Sequence, residues 1–364
     1  MSLRYGLIGA GMMGHEHIRN IHLHGGTVTG LADPDDAMRA SAVAASGRGA
    51  RGFAEHNALI AADICDAYVV ASPNDLHHAP MLDLLKTDKP ILCEKPFCTT
   101  SDHCRDLIAH ARGRAAPVWV AMEYRYMPPV QRLIDERDKG TTGAPVMLSI
   151  REHRFPFLEK VNDWNRFNIR SGGTLVEKCC HFWDLMRLIL QSDPVRAFAS
   201  ANIDVNHLDE RYGGQVPDII DNAYVIVDFA NGTRGMLDLC MFAEGSEWQE
   251  VISLTGPRGR VDANIPGPAR FNADGQERPS ELVISGRQPV RRSRQTIDLD
   301  KEIMAAGDHH GSTYFQHQRF LEMVQTGHGR PEVSMEDGLW AVMVGEAAQR
   351  SARTGQAVAL EGIG

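Results

Sequence analysis

The sequence predicts an α/β protein: a doubly wound parallel sheet, then an α+β domain with a large mixed or antiparallel sheet. Three observations carry this. A glycine turn, "GAGMMG", sits between an apolar run and a helical run at the N-terminus. Short apolar strands then alternate with amphipathic helices as far as residue 124. Beyond it, strand patterns follow one another without intervening helices. Alternation of strand and helix implies a parallel sheet, and consecutive strands imply an antiparallel or mixed one.

The first element, "LRYGLI", is a strand, and "HEHIRNIHL" after the glycines is a helix. In that context Gly9 allows a tight turn, Gly11 lets a pyrophosphate approach the backbone, and Gly14 lets the helix pack on the strand. The helix opening, with Met12 and Met13, offers free N–H groups to phosphate. A second strand, Val28 to Ala32, ends at Asp33, about 20 residues past the turn, where a carboxylate accepts from the ribose 2′-OH and repels a 2′-phosphate. NAD is therefore expected rather than NADP, in a Rossmann-type domain spanning 1–124. "CDAYVVAS", "PILCEKP" and "VWVAMEY" are the later strands, with helices "HAPMLDLLKTD" and "SDHCRDLIAHARGR" between them. Ligands in such sheets lie beyond the carboxyl ends of the strands. Ser72, Asn74, His77, Glu94, Lys95, Glu123, Tyr124 and Arg125 fall there.

The second domain is expected over 125–364. Strands are predicted near 195–204, 222–230, 234–242, 249–255, 258–263 and 281–284, with a last helix at about 334–353. One helix, "TLVEKCCHFWDLMRLILQ", precedes them.

Bulk properties exclude several classes. The 364 residues carry a formal charge of −9, which argues against a nucleic-acid partner. The basic run "RQPVRRSRQ" reads as a solvated strand or loop edge. No stretch approaches the roughly 20 apolar residues of a membrane span. Seven cysteines in no repeating pattern suit reduced thiols, and a cytoplasmic location is expected. No metal is expected: Cys179, Cys180 and His181 are consecutive and diverge, and Cys93, Cys98 and Cys104 share no zinc spacing with them.

"LVEKCCHFWD" instead points to proton handling. Glu177 and His181 are four residues apart and share a helix face. A hydride leaves an alcohol carbon only if the hydroxyl proton is taken too. Lys95, at a strand end over the cleft, is the expected base, its pKa lowered by burial and cofactor charge. His181 is its partner acid/base.

"GAGMMG", "ASPNDLH" and "CEKP", in that order, resemble the Gfo/Idh/MocA family of sugar oxidoreductases. The resemblance implies a lysine, an acid and a histidine as the reacting set, matched by Lys95, Glu177 and His181. Gly172, Gly173 and Cys179 complete the helix motif, with Glu177 replacing aspartate and Cys179 replacing glycine. It also implies a homo-oligomer, dimer or tetramer. Trp164 is expected to stack on a sugar or cover the cofactor. Substrate contacts are expected from Lys95, Tyr124, Lys160, Trp164, Arg166, Glu177, Lys178, His181, His310 and Tyr314, with His309 nearby. The positive groups among them raise the prospect of an anionic sugar.

The expected activity is NAD-dependent removal of hydride from a secondary hydroxyl of a pyranose, cyclitol or glycoside. An alternative is a redox glycosidase, which oxidises carbon-3, eliminates the aglycone and returns the hydride. A second is a non-catalytic regulator sensing NAD or sugar.

Overall fold

The protein is described from a computed structural model covering residues 2–272, 274–307, 309–327 and 330–362. The N-terminal half runs β1 (Arg4–Ile8), α1 (Met12–Leu23), β2 (Thr27–Ala32), α2 (Asp36–Ser46), β3 (Arg51–Phe53), α3 (His56–Ala61), β4 (Ala67–Val70), α4 (His78–Leu84), β5 (Ile91–Cys93), α5 (Ser101–His110) and β6 (Val118–Val120). The sheet order is β3-β2-β1-β4-β5-β6, with every neighbouring pair parallel. Helices on both faces leave β4, β5 and β6 wholly buried, which is why they read as unbroken apolar runs. The segments leaving the strands at Gly9, Asp33, Ser72, Glu94 and Met122 therefore open on one edge.

The second half runs α6 (Pro128–Asp138), β7 (Met147–His153), α7 (Asn168–Ser171), α8 (Thr174–Glu177), α9 (Cys180–Leu190), β8 (Pro194–Asn202), β9 (Asn222–Phe229), β10 (Arg234–Cys240), β11 (Glu250–Gly256), β12 (Gly259–Ile265), β13 (Ser280–Arg287), β14 (Val290–Ile297), α10 (Lys301–Ala306), α11 (Ser312–Thr326), α12 (Met335–Thr354) and β15 (Val358–Ala359). Its nine strands order as β14-β13-β12-β11-β7-β10-β9-β8-β15, mixed because β7 and β10 run parallel. Burial alternates along β9 and β10, as a sheet with one covered face requires. The basic run forms β14, an exposed edge strand.

Two late helices tie the halves together. α11 packs on α1 and on the turn at Glu123–Tyr126, and α12 packs on α5, α9, β6 and β8. A buried ion pair reinforces the seam: Arg125 Nε and Nη2 donate to Asp184 at 2.6 and 2.5 Å.

The expected single helix around residue 177 is broken. α8 stops at Glu177 and α9 starts at Cys180, with Cys179 N–H reaching back five residues to Thr174 O at 3.2 Å. Such a wide turn releases backbone groups from the helical ladder. The Glu177 carbonyl, so released, accepts from Lys95 Nζ at 3.2 Å and Cys180 Sγ at 3.4 Å. Among the described residues no helix is long and apolar enough to cross a membrane.

Candidate active site

The glycine turn has the geometry of a phosphate cradle. Gly9 sits at φ +98°, and a Cβ there would lie 2.5 Å from the Ala71 carbonyl oxygen. A Cβ on Gly14 would lie 2.4 Å from Gly9 O, so helix and turn touch directly. A Cβ on Gly11 would meet nothing within 4 Å, so the space above it is free for a ligand. No side chain caps α1, which leaves its first N–H groups for an anion. Met12 and Met13 begin that helix, and Met12 is half exposed. Asp33 closes the cradle's far side, accepting from Ala10 N at 2.8 Å and Asp35 N at 2.9 Å. Arg39, which sequence reading overlooked, donates to Asp33 O at 2.6 Å.

The loop ends supply the other wall. Ser72 is half-buried, its Oγ on Leu76 O at 3.1 Å. Asn74 is buried and donates to Ser171 O at 2.9 Å, across the seam. His77 was expected to face the cofactor. It is instead wholly buried, both ring nitrogens 2.9 Å from the carbonyls of Ser72 and Pro96, and so braces these two loops.

Lys95 and Glu177 come together from the two halves. Lys95 Nζ lies 3.8 Å from Glu177 Oε1, and Glu177 Oε2 is buried without a hydrogen bond. Burial pushes the Lys95 pKa down, but the negative charge of Glu177, with Glu94 and Glu123 beyond it, outweighs this. Among the chain's own groups the net shift is upward, against the depression expected from burial, and favours the ammonium form. Glu177 responds in kind, burial opposing but Lys95, Lys160 and Lys178 drawing its pKa down.

His181 has the opposite character. Burial first, then the positive charges of Lys95 and Lys178, hold its pKa well below the ordinary 6.5. It is a neutral imidazole whose Nδ1 is buried and has no partner. Its ring stacks on Tyr124. The Tyr124 hydroxyl lies 2.5 Å from Lys178 Nζ, and Lys178 is 2.9 Å from Glu152 Oε1. Lys178 therefore supports the site from behind and is committed to these partners.

Behind Tyr124 lies a buried acid pair that sequence reading missed. Glu152 and Glu250 face each other across β7 and β11, and burial with the Glu152 charge pushes Glu250 up to about 7. Glu94 belongs to another buried chain, accepting from His17 Nε2 at 2.9 Å, while His17 Nδ1 meets His317 Nε2 at 2.8 Å.

Several expected contacts are engaged elsewhere. The Arg125 guanidinium is spent on Asp184 and the Glu332 carbonyl, not on a nicotinamide. Arg166 Nε is held by Glu210 at 3.0 Å. His310 Nε2 is 2.8 Å from Pro266 O. Tyr314 lies against His24 at the far end of α1, ring centroids 4.2 Å apart, away from Lys95. Lys160 does remain near the centre, 5.0 Å over the Trp164 ring, its pKa lowered by burial, with Glu177 opposing. Glu123 turns toward α11, where the Thr313 hydroxyl lies 2.6 Å from Glu123 Oε2 and 2.6 Å from Glu16 Oε1. His309 completes that group. Burial lowers its pKa, but Glu123 and Glu16 raise it to about 9. Glu16 carries no motif signal and could be found only in three dimensions.

Comparison with known proteins assigns both halves of the chain to one family. The model of the oxidoreductase family's NAD-binding Rossmann fold matches residues 3–122, and that of its C-terminal alpha/beta domain matches residues 138–360. The chain belongs to the Gfo/Idh/MocA oxidoreductase family. Among Gfo/Idh/MocA proteins it is 29% identical to inositol 2-dehydrogenase 2 of Saccharopolyspora erythraea over 281 residues, 76% of this chain and 78% of that protein. It is 24% identical to 1,5-anhydro-D-fructose reductase of Ensifer adhaerens, covering 98% of each. In fold it is similar to levoglucosan dehydrogenase in complex with NADH, with a TM-score of 0.83 over 100% of both chains at 18% identity.

Proposed function

We propose that this protein is an NAD-dependent dehydrogenase acting on a secondary hydroxyl of a neutral polyhydroxylated ring, a pyranose, cyclitol or glycoside. One observation carries the reading: a charged lysine and a neutral histidine with an unpartnered nitrogen are held within one buried electrostatic field at the edge of the cradle. Inositol 2-dehydrogenase and 1,5-anhydro-D-fructose reductase among the relatives support the substrate class.

NAD+ accepts the hydride when bound, and the chain's own residues manage the proton and the charge. His181, being neutral, takes the hydroxyl proton on its free nitrogen. Lys95, being an ammonium, stabilises the alkoxide that develops as the proton leaves. The lysine therefore acts as an electrostatic partner and the histidine as the base, a redistribution of the roles expected from sequence. Glu177 sets the charge of Lys95 and offers Oε2 to a substrate hydroxyl.

A neutral ring is preferred because two of the site's cations, Lys95 and Lys178, are matched from within. Lys95 faces Glu177, and Lys178 faces Glu152. Of Lys160, Arg166, His309 and His310, which had suggested an anionic sugar, Arg166 Nε, His309 and His310 have partners within the chain, and Lys160 lies over the Trp164 ring. Asp33, past the end of β2, favours NAD over NADP by accepting from a ribose 2′-OH and repelling a 2′-phosphate. The outer face of the large sheet exposes Phe198, Ile226 and Met236 in one cross-strand row, with Tyr224 beside it, and is the surface on which a second copy would pack.

The test is a panel of inositols, free sugars and glycosides, neutral and acidic, incubated with NAD+ while NADH and released aglycone are both followed. NADH accumulation with a neutral ring is the expected result. Aglycone release at catalytic NAD+ without net NADH would replace the reading with redox-neutral glycoside cleavage. Absence of turnover across the panel would overturn both.

A further inference from the structure

The dehydrogenation just described gives no direct contact to the group formed by Glu16, Glu123 and His309, although the Glu123 charge adds to the field on Lys95. Glu16 projects from α1, Glu123 follows β6, and His309 precedes α11, so the group joins both halves of the chain. Glu16 and Glu123 are 4% and 1% exposed. One ligand atom from each of the three lies within 4.8 Å of the others.

The spacing within the group is informative. His309 Nδ1 is 3.3 Å from Glu16 Oε1 and 3.5 Å from Glu123 Oε1. Charge-assisted hydrogen bonds close to about 2.7–2.9 Å, so these are long. Glu123 Oε1, buried and facing His309, makes no hydrogen bond at all. Two ligands on a tetrahedral zinc ion with bonds of about 2.0–2.1 Å are separated by roughly 3.3–3.5 Å. The contacts fall on that edge length.

Charge points the same way. Two carboxylates this deeply buried need positive compensation. Thr313 cannot supply it, because its single hydroxyl proton serves only one of the two oxygens at 2.6 Å. Within the group His309, its pKa raised to about 9, sets one positive charge against the two acids, whereas a divalent cation would balance both at once. The loop is shaped to reach them: a Cβ on Gly307 would come within 2.2 Å of Glu16 Oε1.

We propose that Glu16, Glu123 and His309 bind one divalent cation of the zinc class. An imidazole with two carboxylates suits zinc better than magnesium, which takes oxygen ligands in octahedral geometry. Thr313 is the outer partner that orients the carboxylates. Because the ligands come from α1, the end of β6 and the approach to α11, the cation fastens α11 against the nucleotide-binding half. This site stands independently of the dehydrogenase reading.

The full chain is stripped with a chelator and titrated calorimetrically with Zn2+, and separately with Co2+ while visible absorption is read. The expected result is one equivalent bound, a tetrahedral Co2+ spectrum, and a thermal midpoint that rises with added Zn2+. Glu123→Gln and His309→Ala each weaken binding at least tenfold. His78→Ala, which removes a surface histidine paired with Asp106, leaves it unchanged. Should Glu123→Gln fail to fold, His309→Ala, in a partly exposed loop, decides the matter. No saturable Zn2+ binding by the native chain, or native affinity in His309→Ala, overturns the proposal.

Discussion

Tyr124 lies flat on His181, ring centroids 4.0 Å apart and planes 10° from parallel. The imidazole is thereby held from one side by a ring that is itself fixed through its hydroxyl to Lys178. Such a stack contributes about 0.5–1.5 kcal/mol beyond simple burial.

Tyr124→Phe keeps the stack and loses only the link to Lys178, whereas Tyr124→Ala frees the imidazole. The expected outcome is a small change in kcat for the first and a fall of about tenfold for the second, equivalent to about 1.4 kcal/mol of barrier, with KM moving less. Steady-state kinetics on the best substrate of the panel reads both. Equal losses in the two variants would show that the hydroxyl, not the stack, matters.

Lys95→Met removes the ammonium proposed to stabilise the alkoxide, along with a positive charge that lowers the His181 pKa. Turnover should fall by roughly 10²–10³, the usual cost of removing a group that stabilises developing negative charge, while NAD+ binding by fluorescence titration persists. The residual activity carries a second signature. His181 must be neutral to act, and loss of the Lys95 charge lets its pKa rise. The acid limb of the pH profile should therefore move to higher pH in the variant.

The glycines of the cradle separate stability from binding. Gly9→Ala forces a side chain into a positive-φ position against the Ala71 backbone and should cost on the order of 1–3 kcal/mol. Gly11→Ala adds a Cβ that meets no protein atom within 4 Å, so its thermal midpoint should stay near the native value while NAD+ affinity drops. Thermal melts beside cofactor titrations distinguish the two.

Asp33→Ser removes the carboxylate at the ribose position and leaves Arg39 in place. The ratio of NAD+ to NADP+ efficiency should narrow by at least tenfold, read as kcat/KM for each cofactor. An unchanged ratio would remove Asp33 from cofactor selection.

Buried histidines set a pH window for stability. His77, His181 and His317 all have folded pKa values below the ordinary 6.5, chiefly from burial. As pH falls below about 6.5, the unfolded chain takes up protons at these sites before the folded chain does. Their contribution is present above that value and is lost on acidification. The thermal midpoint should therefore decline from pH 7 to pH 5, and His317→Gln should make the decline shallower.

The sequence by itself determined the parallel sheet, the glycine cradle and the strand-end positions of Asp33 and Lys95, because these rest on local rules, whereas the helix break between Glu177 and His181 was not legible in it. Strand and helix periodicity, turn geometry at Gly9 and the end of a strand at Lys95 are set by residues near in the chain. It also reached the exposed edge strand at the basic run. What only the tertiary structure decided was the charge state and company of each group. Lys95 favours the ammonium form because Glu177, 82 residues away, stands over it. Arg125, Arg166 and Tyr314 had the right chemistry in the right segments but found partners in Asp184, Glu210 and His24. Glu16 and His309 meet across 293 residues with nothing in either segment to announce the other. Electrostatics acts through space at a few ångströms, so it is written in the packing of helices such as α11 on α1, and no local spacing encodes it.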